Sequence, residues 1–356
     1  MNVKKYNVIG IMSGTSCDGL DIALTSFWYS KNKWNYNLIS TSEIIYTTKL
    51  RKKLLHCSEL NAYDLKKLDI ELGKFISNET NNLINTSNEK VDLISSHGHT
   101  VFHEPEKKIN YQIGNPFEIY NNINIPLVYN FREFDVILGG QGAPLVPYGE
   151  EKLFSDFNFC VNLGGIINIS SLNNKNLFGY DVCPGNIILN SLARKLNYEF
   201  DLDGVLSKKG KNNESLFDEL NKLEYYNRNF PKSLDLLYIK KHYLPLFKNI
   251  KVEDSLKTFI NHIAYQLNKS IKEKNNTVLL TGGGALNEHL LEKINYFNKL
   301  DTNFIVPNKK LIIFKEAIVF GFLGLLRYLN KKNIDKSVTG SSSSSSSGLI
   351  VDNKLF

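Results

Sequence analysis

Apolar and polar positions along the chain fall into short runs broken by glycine-rich turns. Val8 to Met12 and Ile22 to Leu24 are apolar and flank Ser13-Gly14-Thr15-Ser16-Cys17-Asp18-Gly19, the pattern of a strand, a tight turn and a second strand. Trp34 to Tyr46 mixes β-branched and aromatic residues and predicts a third strand. Helical spacing follows from Lys49 to His56 and from Tyr63 to about Leu83. Val91 to Ser95 predicts a buried strand ending at Ser96-His97-Gly98-His99-Thr100. Pro116 to Ile123 predicts a short helix, and Pro126 to Asn130 another strand before the turn Gly139-Gly140-Gln141-Gly142-Ala143-Pro144.

The pattern then starts again. Phe159 to Ser170 repeats strand, glycine turn and strand, Leu177 to Asp181 supplies a third strand, and Asn186 to Leu196 has helical spacing. Leu256, Phe259, Ile260, Ile263, Ala264, Leu267 and Ile271 form the strongest amphipathic stripe in the chain. Thr277 to Leu280 runs as a strand into Gly282-Gly283-Gly284, which opens a helix toward Tyr296. Lys315 to Leu329 is apolar nearly all round and predicts a buried helix. Asp201 to Phe247 shows no clear period and reads as a helical insertion. Beyond Asp335, the composition, with its serine run Ser341 to Ser347, is that of a linker without secondary structure.

Composition narrows the classes. A chain of 356 residues with 42% hydrophobic content has room for two domains with real cores. No apolar run reaches the length of a membrane span, and the apolar stretch before Ser13 is too short for a signal-peptide core. A cytoplasmic protein with no membrane partner is expected. The four cysteines form no Cys-x-x-Cys pair, so neither a zinc knuckle nor a disulfide framework is indicated. The net charge of +7 is spread over lysines scattered among asparagines rather than gathered into a basic arm, so no nucleic-acid partner is expected.

Chemistry concentrates at the turns. Gly14 and Gly19 can adopt positive φ, and Ser13, Thr15 and Ser16 offer donors suited to phosphate oxygens. Asp18 and Asp21 would repel a bare phosphate, so their presence argues for a bridging cation, most simply Mg²⁺; the alternative is an Asx-rich turn without ligand. The turns at Gly14, Gly164 and Gly282 each follow an apolar strand, where phosphates commonly sit in α/β proteins, although glycine there also serves close packing. Asp181, at a strand end, is the best general-base candidate. Its other reading is a cap on the following helix, a role Asn186 can fill instead. His97, His99 and His103 lack an acidic motif of recognisable spacing and read as hydrogen-bonding residues rather than metal ligands. Arg132 and Asp135 could pair with each other or grip an anionic or hydroxyl-rich substrate. Cys17 and Cys183 have no histidine in local spacing, which argues against a thiol nucleophile.

Met12 to Asp21, Ser96 to Val101, Gly139 to Pro147, Asn162 to Gly165 with Asn168, Asp181 with Pro184 to Asn186, and Thr281 to Ala285 with Asn287 together resemble the anhydro-N-acetylmuramic acid kinases, in that family's order and over nearly the whole chain. The resemblance implies an α/β fold of two ribonuclease-H-like domains, that of acetate and sugar kinases, Hsp70 and actin, around a central cleft. It implies ATP and Mg²⁺ as cofactors, a 1,6-anhydro amino sugar of cell-wall recycling as substrate, and a homodimer. Residues 1–133 with 314–335 would form one lobe, 134–313 the second, and 336–356 a flexible tail.

By the same resemblance, Gly14, Thr15, Ser16, Cys17, Asp18, Gly19, Leu20 and Asp21 would hold the ATP phosphates, with Asp18 as metal ligand. Gly164 and Gly165 would take the second phosphate side, and Gly282, Gly283 and Gly284 the adenosine side. Asp181 would deprotonate the attacking water, and His97, Arg132 and Glu316 would bind the sugar. The family usually has Thr-Gly after the catalytic Asp where Val182-Cys183 stand here, Gln where His99 stands, and commonly Asp where Asn190 stands. The rivals are a same-fold ATP-binding regulatory protein, a kinase of a different sugar, and a hydrolase built on the three histidines.

Overall fold

The computed structural model describes residues 3–14, 17–172, 177–230 and 232–353. Thr15 and Ser16 of the first turn lie outside the described residues. The chain divides into two units, Met1–Leu153 with Phe314–Phe356, and Phe154–Ile313. The first boundary falls at Leu153 rather than at 133, because the helix Val146–Leu153 packs with the first unit: an added Cβ at Gly149 would meet Val319 at 2.6 Å.

In the first unit the strands are β1 (Lys5–Ser13), β2 (Gly19–Ser30), β3 (Lys33–Ile45), β4 (Leu93–Ser96), β5 (His99–Glu104), β6 (Ile109–Ile113) and β7 (Leu127–Tyr129). β1, β2 and β3 form an antiparallel meander, while β4 runs parallel to β1 and β7 parallel to β4. The sheet order is therefore 3-2-1-4-7, closed at its far edge by the antiparallel strand Leu349–Val351, and β5 and β6 form a separate hairpin. The helix Ala62–Ser87 buries Leu65, Leu68, Leu72 and Ile76 in the same core as Ile9, Ile22 and Ile94. The long helix Lys309–Tyr328 lies directly on β1: an added Cβ at Gly10 would fall 1.9 Å from the Ala317 carbonyl, so only glycine admits the helix this closely.

The tail is structured, contrary to the linker reading. Lys336–Thr339 is helical, Ser347 Oγ donates to the Phe131 carbonyl (2.6 Å), and Thr339 Oγ1 donates to Asp135 Oδ1 (2.7 Å). Serine hydroxyls there satisfy buried backbone groups, which a composition count cannot register.

The second unit repeats the plan with β8 (Phe159–Leu163), β9 (Ile166–Ser171), β10 (Phe178–Pro184), β11 (Thr277–Thr281) and β12 (Asn303–Ile305). Its order is 10-9-8-11-12, antiparallel through β8, β9 and β10 and parallel from β8 through β11 to β12. The predicted amphipathic helix is Val252–Ser270, and its stripe of Leu256, Phe259, Ile260, Ile263 and Leu267 is fully buried. The insertion after Asp201 is built of short helices, among them Glu214–Asn221 and Leu236–His242. Among the described residues no helix is long and apolar enough to cross a membrane.

Candidate active site

At the first turn, Gly19 does not take a positive φ; its lack of a Cβ serves close packing, since one would fall 2.3 Å from the Ile44 carbonyl on β3. Among the described residues of the turn, Cys17 is left-handed, at φ 53°. Its thiol is pushed up to about 11, first by burial and then by the nearby Cys57 and Asp18, and is no nucleophile at neutral pH. Ser13 Oγ accepts from the Tyr46 hydroxyl (2.8 Å) and faces His99 Nδ1 at 3.3 Å. Asp18 is exposed and pairs with Arg51 at 2.8 Å. Asp21 is the more inward carboxylate: burial, then the charges of Glu43 and Glu316, push it up to about 7. Leu20, the preceding residue on β2, is wholly buried.

The ends of β4 and β7 add the other groups of this unit. His97 Nδ1–H donates to the Gly98 carbonyl (2.9 Å), and Nε2 accepts from Arg132 Nε (3.0 Å); arginine can only donate, so this imidazole is neutral. Burial and the Arg132 charge hold His97 well below its ordinary range. Arg132 Nη1 donates to the Gly142 carbonyl (2.6 Å) and does not pair with Asp135, whose carboxylate instead takes the Gly142 amide (2.8 Å) and the Thr339 hydroxyl. The expected Arg132–Asp135 alternative is thus replaced by two separate clamps on one turn. Glu316 is held above the usual carboxylate range by burial, an effect that Lys315 and Arg132 oppose and Glu150 reinforces. Lys315 and Glu150 form a buried ion pair beside it. His97 lines a cavity of about 250 Å³ in which the polar Lys66, Asp69 and Gln112 face the apolar and aromatic Tyr111, Phe117 and Tyr129, a mixed lining of the kind small-molecule sites use.

In the second unit the glycine turns after β8 and β11 are neighbours, because these strands are adjacent and parallel. Gly282 has φ 80°, and a Cβ there would sit 2.2 Å from Asn162 Oδ1. Gly164 and Gly165 hold the next helix through their carbonyls, which accept the amides of Gly185 (2.8 Å), Asn186 (2.9 Å) and Ile187 (3.2 Å). Asn186 does not cap that helix; Gly185 takes the cap position without a side-chain bond, and Asn186 Nδ2 donates to the Leu163 carbonyl (3.2 Å).

Asp181 does not cap it either. Its Oδ2 accepts the Leu234 amide at 2.8 Å, and burial raises the carboxyl to about 6 against the lowering effect of that bond. Val182 and Cys183, which follow it, point into the core. Tyr225 and Leu234, which contact Asp181, lie in the insertion, where no periodicity singled them out; Tyr46 and Arg51 at the first turn were missed for the same lack of a local signal. Among the described residues no three His, Cys, Asp or Glu side chains converge to hold a metal ion.

Two sheets of the same order in one chain, each with a glycine turn between its first two strands, define a class: the paired ribonuclease-H-like proteins to which acetate and sugar kinases, Hsp70 and actin belong. Sequence comparison carries the assignment further. The family model for anhydro-N-acetylmuramic acid kinase matches residues 6–353. The chain is 30% identical to the anhydro-N-acetylmuramic acid kinase of Hydrogenovibrio crunogenus, over 96% of this chain and 97% of that one. It is 31% identical to the enzyme of Pelagibacter ubique, over 98% and 99%, and 32% identical to that of Clostridioides difficile, over 89% and 90%. The chain belongs to the anhydro-N-acetylmuramic acid kinase family.

Proposed function

We propose that this protein uses ATP and water to convert 1,6-anhydro-N-acetylmuramic acid to N-acetylmuramic acid 6-phosphate, with Asp181 as general base. The observation that carries the reading is the state of Asp181: a half-buried carboxylate titrating near 6, with one oxygen held by an amide. Such a group is largely ionised at neutral pH yet basic enough to accept a proton in the transition state. Asp181 takes one proton of a water whose oxygen bonds to the anomeric carbon. The bond from that carbon to the bridging oxygen breaks, that oxygen becomes O6 and bonds to the γ-phosphorus, and ADP leaves with the electron pair of the broken P–O bond. Catalysis then consists mainly of positioning and charge stabilisation.

The remaining roles are part of the same proposal. The turn from Gly14 to Asp21 holds the phosphates, including Thr15 and Ser16; Gly164 and Gly165 contribute on the second unit, and Gly282 to Gly284 receive the adenosine. His97, Arg132 and Glu316 contact the sugar, a reading supported for His97 by the cavity it lines and for Arg132 by its bond to His97. Mg²⁺ fits the first turn if phosphate oxygens complete its shell, since Mg²⁺ is usually held by one or two carboxylates plus substrate phosphates. Asp21, crowded by Glu43 and Glu316, is better placed for this than Asp18, which Arg51 already neutralises. Bound there, the ion would supply charge neutralisation of the phosphates. A homodimer in the cytoplasm completes the proposal.

The test is mass spectrometry of the product formed in ¹⁸O-labelled water. One added phosphate together with one label at the anomeric oxygen is expected. Phosphate without label would leave a simple sugar kinase, and label without phosphate a hydrolase.

A further inference from the structure

β10 is the outer strand of its sheet, so the amide and carbonyl on its free side need partners from elsewhere. At Asp181 the insertion supplies both. The Asp181 N–H donates to the Lys232 carbonyl (3.3 Å), and the Asp181 carbonyl accepts the Tyr225 hydroxyl. The Leu234 amide adds the bond to Oδ2, while Oδ1 makes no hydrogen bond among the described residues. This bracing falls where β10 needs it: the register with β9 slips between Asp181 and Cys183, and a bulge re-aims the side chain while interrupting the ladder that would otherwise hold it.

The brace is itself anchored. Tyr225 is fully buried, and the adjoining Tyr226 hydroxyl donates to His262 Nε2 (2.7 Å) while accepting from Tyr243 (2.7 Å). His262 Nδ1–H in turn donates to Asn221 Oδ1 (2.8 Å), tying the insertion to the helix Val252–Ser270.

We propose that Tyr225 and the Leu234 amide are positioning groups for Asp181, fixing its backbone and Oδ2 so that Oδ1 is the oxygen that receives the proton. This rests on the assignment of Asp181 as base. Tyr225→Phe removes only the donor to the Asp181 carbonyl. The expected result with ATP and the anhydro sugar is a fall of about tenfold in kcat, the scale on which small misplacements act, with KM for ATP unchanged. The acidic limb of the kcat profile, near pH 6 in the parent protein, should move upward as the carboxylate slips from the Leu234 amide.

An unchanged kcat and limb would overturn the proposal, as would a loss shared equally by kcat and ATP affinity, which marks general damage. Asp181→Asn, measured alongside, separates the two ideas. If it retains turnover, the base assignment itself fails. If it is inactive while Tyr225→Phe behaves as the parent protein does, only the positioning role falls.

Discussion

The β1–β2 hairpin of the first unit and the β8–β9 hairpin of the second hold the same place in their sheets, yet they carry their chemistry differently. The first bears it on side chains: Ser13 held by Tyr46 beside His99, Cys17 in the left-handed region, and Asp21 among other acids. The second tip is two glycines whose carbonyls are occupied by helix amides, and Asp181, the proposed base, sits on the neighbouring strand β10. The third strands explain the difference. β3 runs for 13 residues and pairs regularly where Glu43 faces Asp21, whereas β10 has 7 residues and a bulge beside Asp181. The two sheets share one strand order, while the groups at their tips and edges differ although both tips are buried: Ser13 and Cys17 in the first unit and Leu163 and Cys183 in the second are each 2% exposed or less.

This contrast is sharpest in a pair of substitutions. Asp181→Asn should lower kcat by roughly a thousandfold, within the range for loss of a general base, and leave ATP affinity intact. Asp21→Asn should do the reverse, raising the ATP and Mg²⁺ concentrations needed for half-maximal rate by about tenfold while sparing kcat at saturation, since losing one charge contact there costs about 1.4 kcal/mol of binding. Initial-rate kinetics with both ligands varied decides this, and equal kcat losses in the two variants would erase the division of labour.

A smaller effect is expected within the second unit. Gly282→Ala forces a Cβ into a left-handed backbone 2.2 Å from Asn162 Oδ1, at a cost of about 2 kcal/mol, read as a thermal midpoint lower by about 4–8 °C. Gly283→Ala meets nothing nearer than Asn186 Nδ2 at 3.6 Å and should leave the midpoint unchanged. A similar fall in both would mean that the turn tolerates no side chain for some reason other than φ and contact.

The first unit should also show a pH signature. Asp21 titrates higher in the folded chain, near 7, than its ordinary 3.8, so its contribution is fully present below pH 3.8 and is lost as pH rises through 7. Between pH 5 and pH 8 this amounts to about 2.7 kcal/mol, so calorimetry of the ligand-free protein should place the midpoint about 5–10 °C lower at the higher pH, with the gap closing in Asp21→Asn. The smallest change concerns the tail: Thr339→Val removes one buried donor to Asp135, costing about 1 kcal/mol, and should raise the KM for the sugar two- to threefold, about 0.5 kcal/mol, by loosening the Arg132 turn. An unaltered KM would confine the tail to a purely structural part.

Strand, turn and helix alternation, the restart at Phe159, and the stripe from Leu256 to Ile271 were legible in the chain because each is a local period imposed by burial of one face. So were the glycine turns, through their order along the chain, whereas Asp181, expected at a strand end, lies in the middle of β10 beside its bulge. What the tertiary structure alone decided is who holds these groups. Tyr225 and Leu234 reach Asp181 from 44 and 53 positions away, the serine run packs under Phe131 from over 200, and the Arg132 turn is clamped by Thr339. Hydrogen bonds between distant segments leave no spacing in the sequence, since the donor needs only a hydroxyl or an amide, and every residue but proline has the latter.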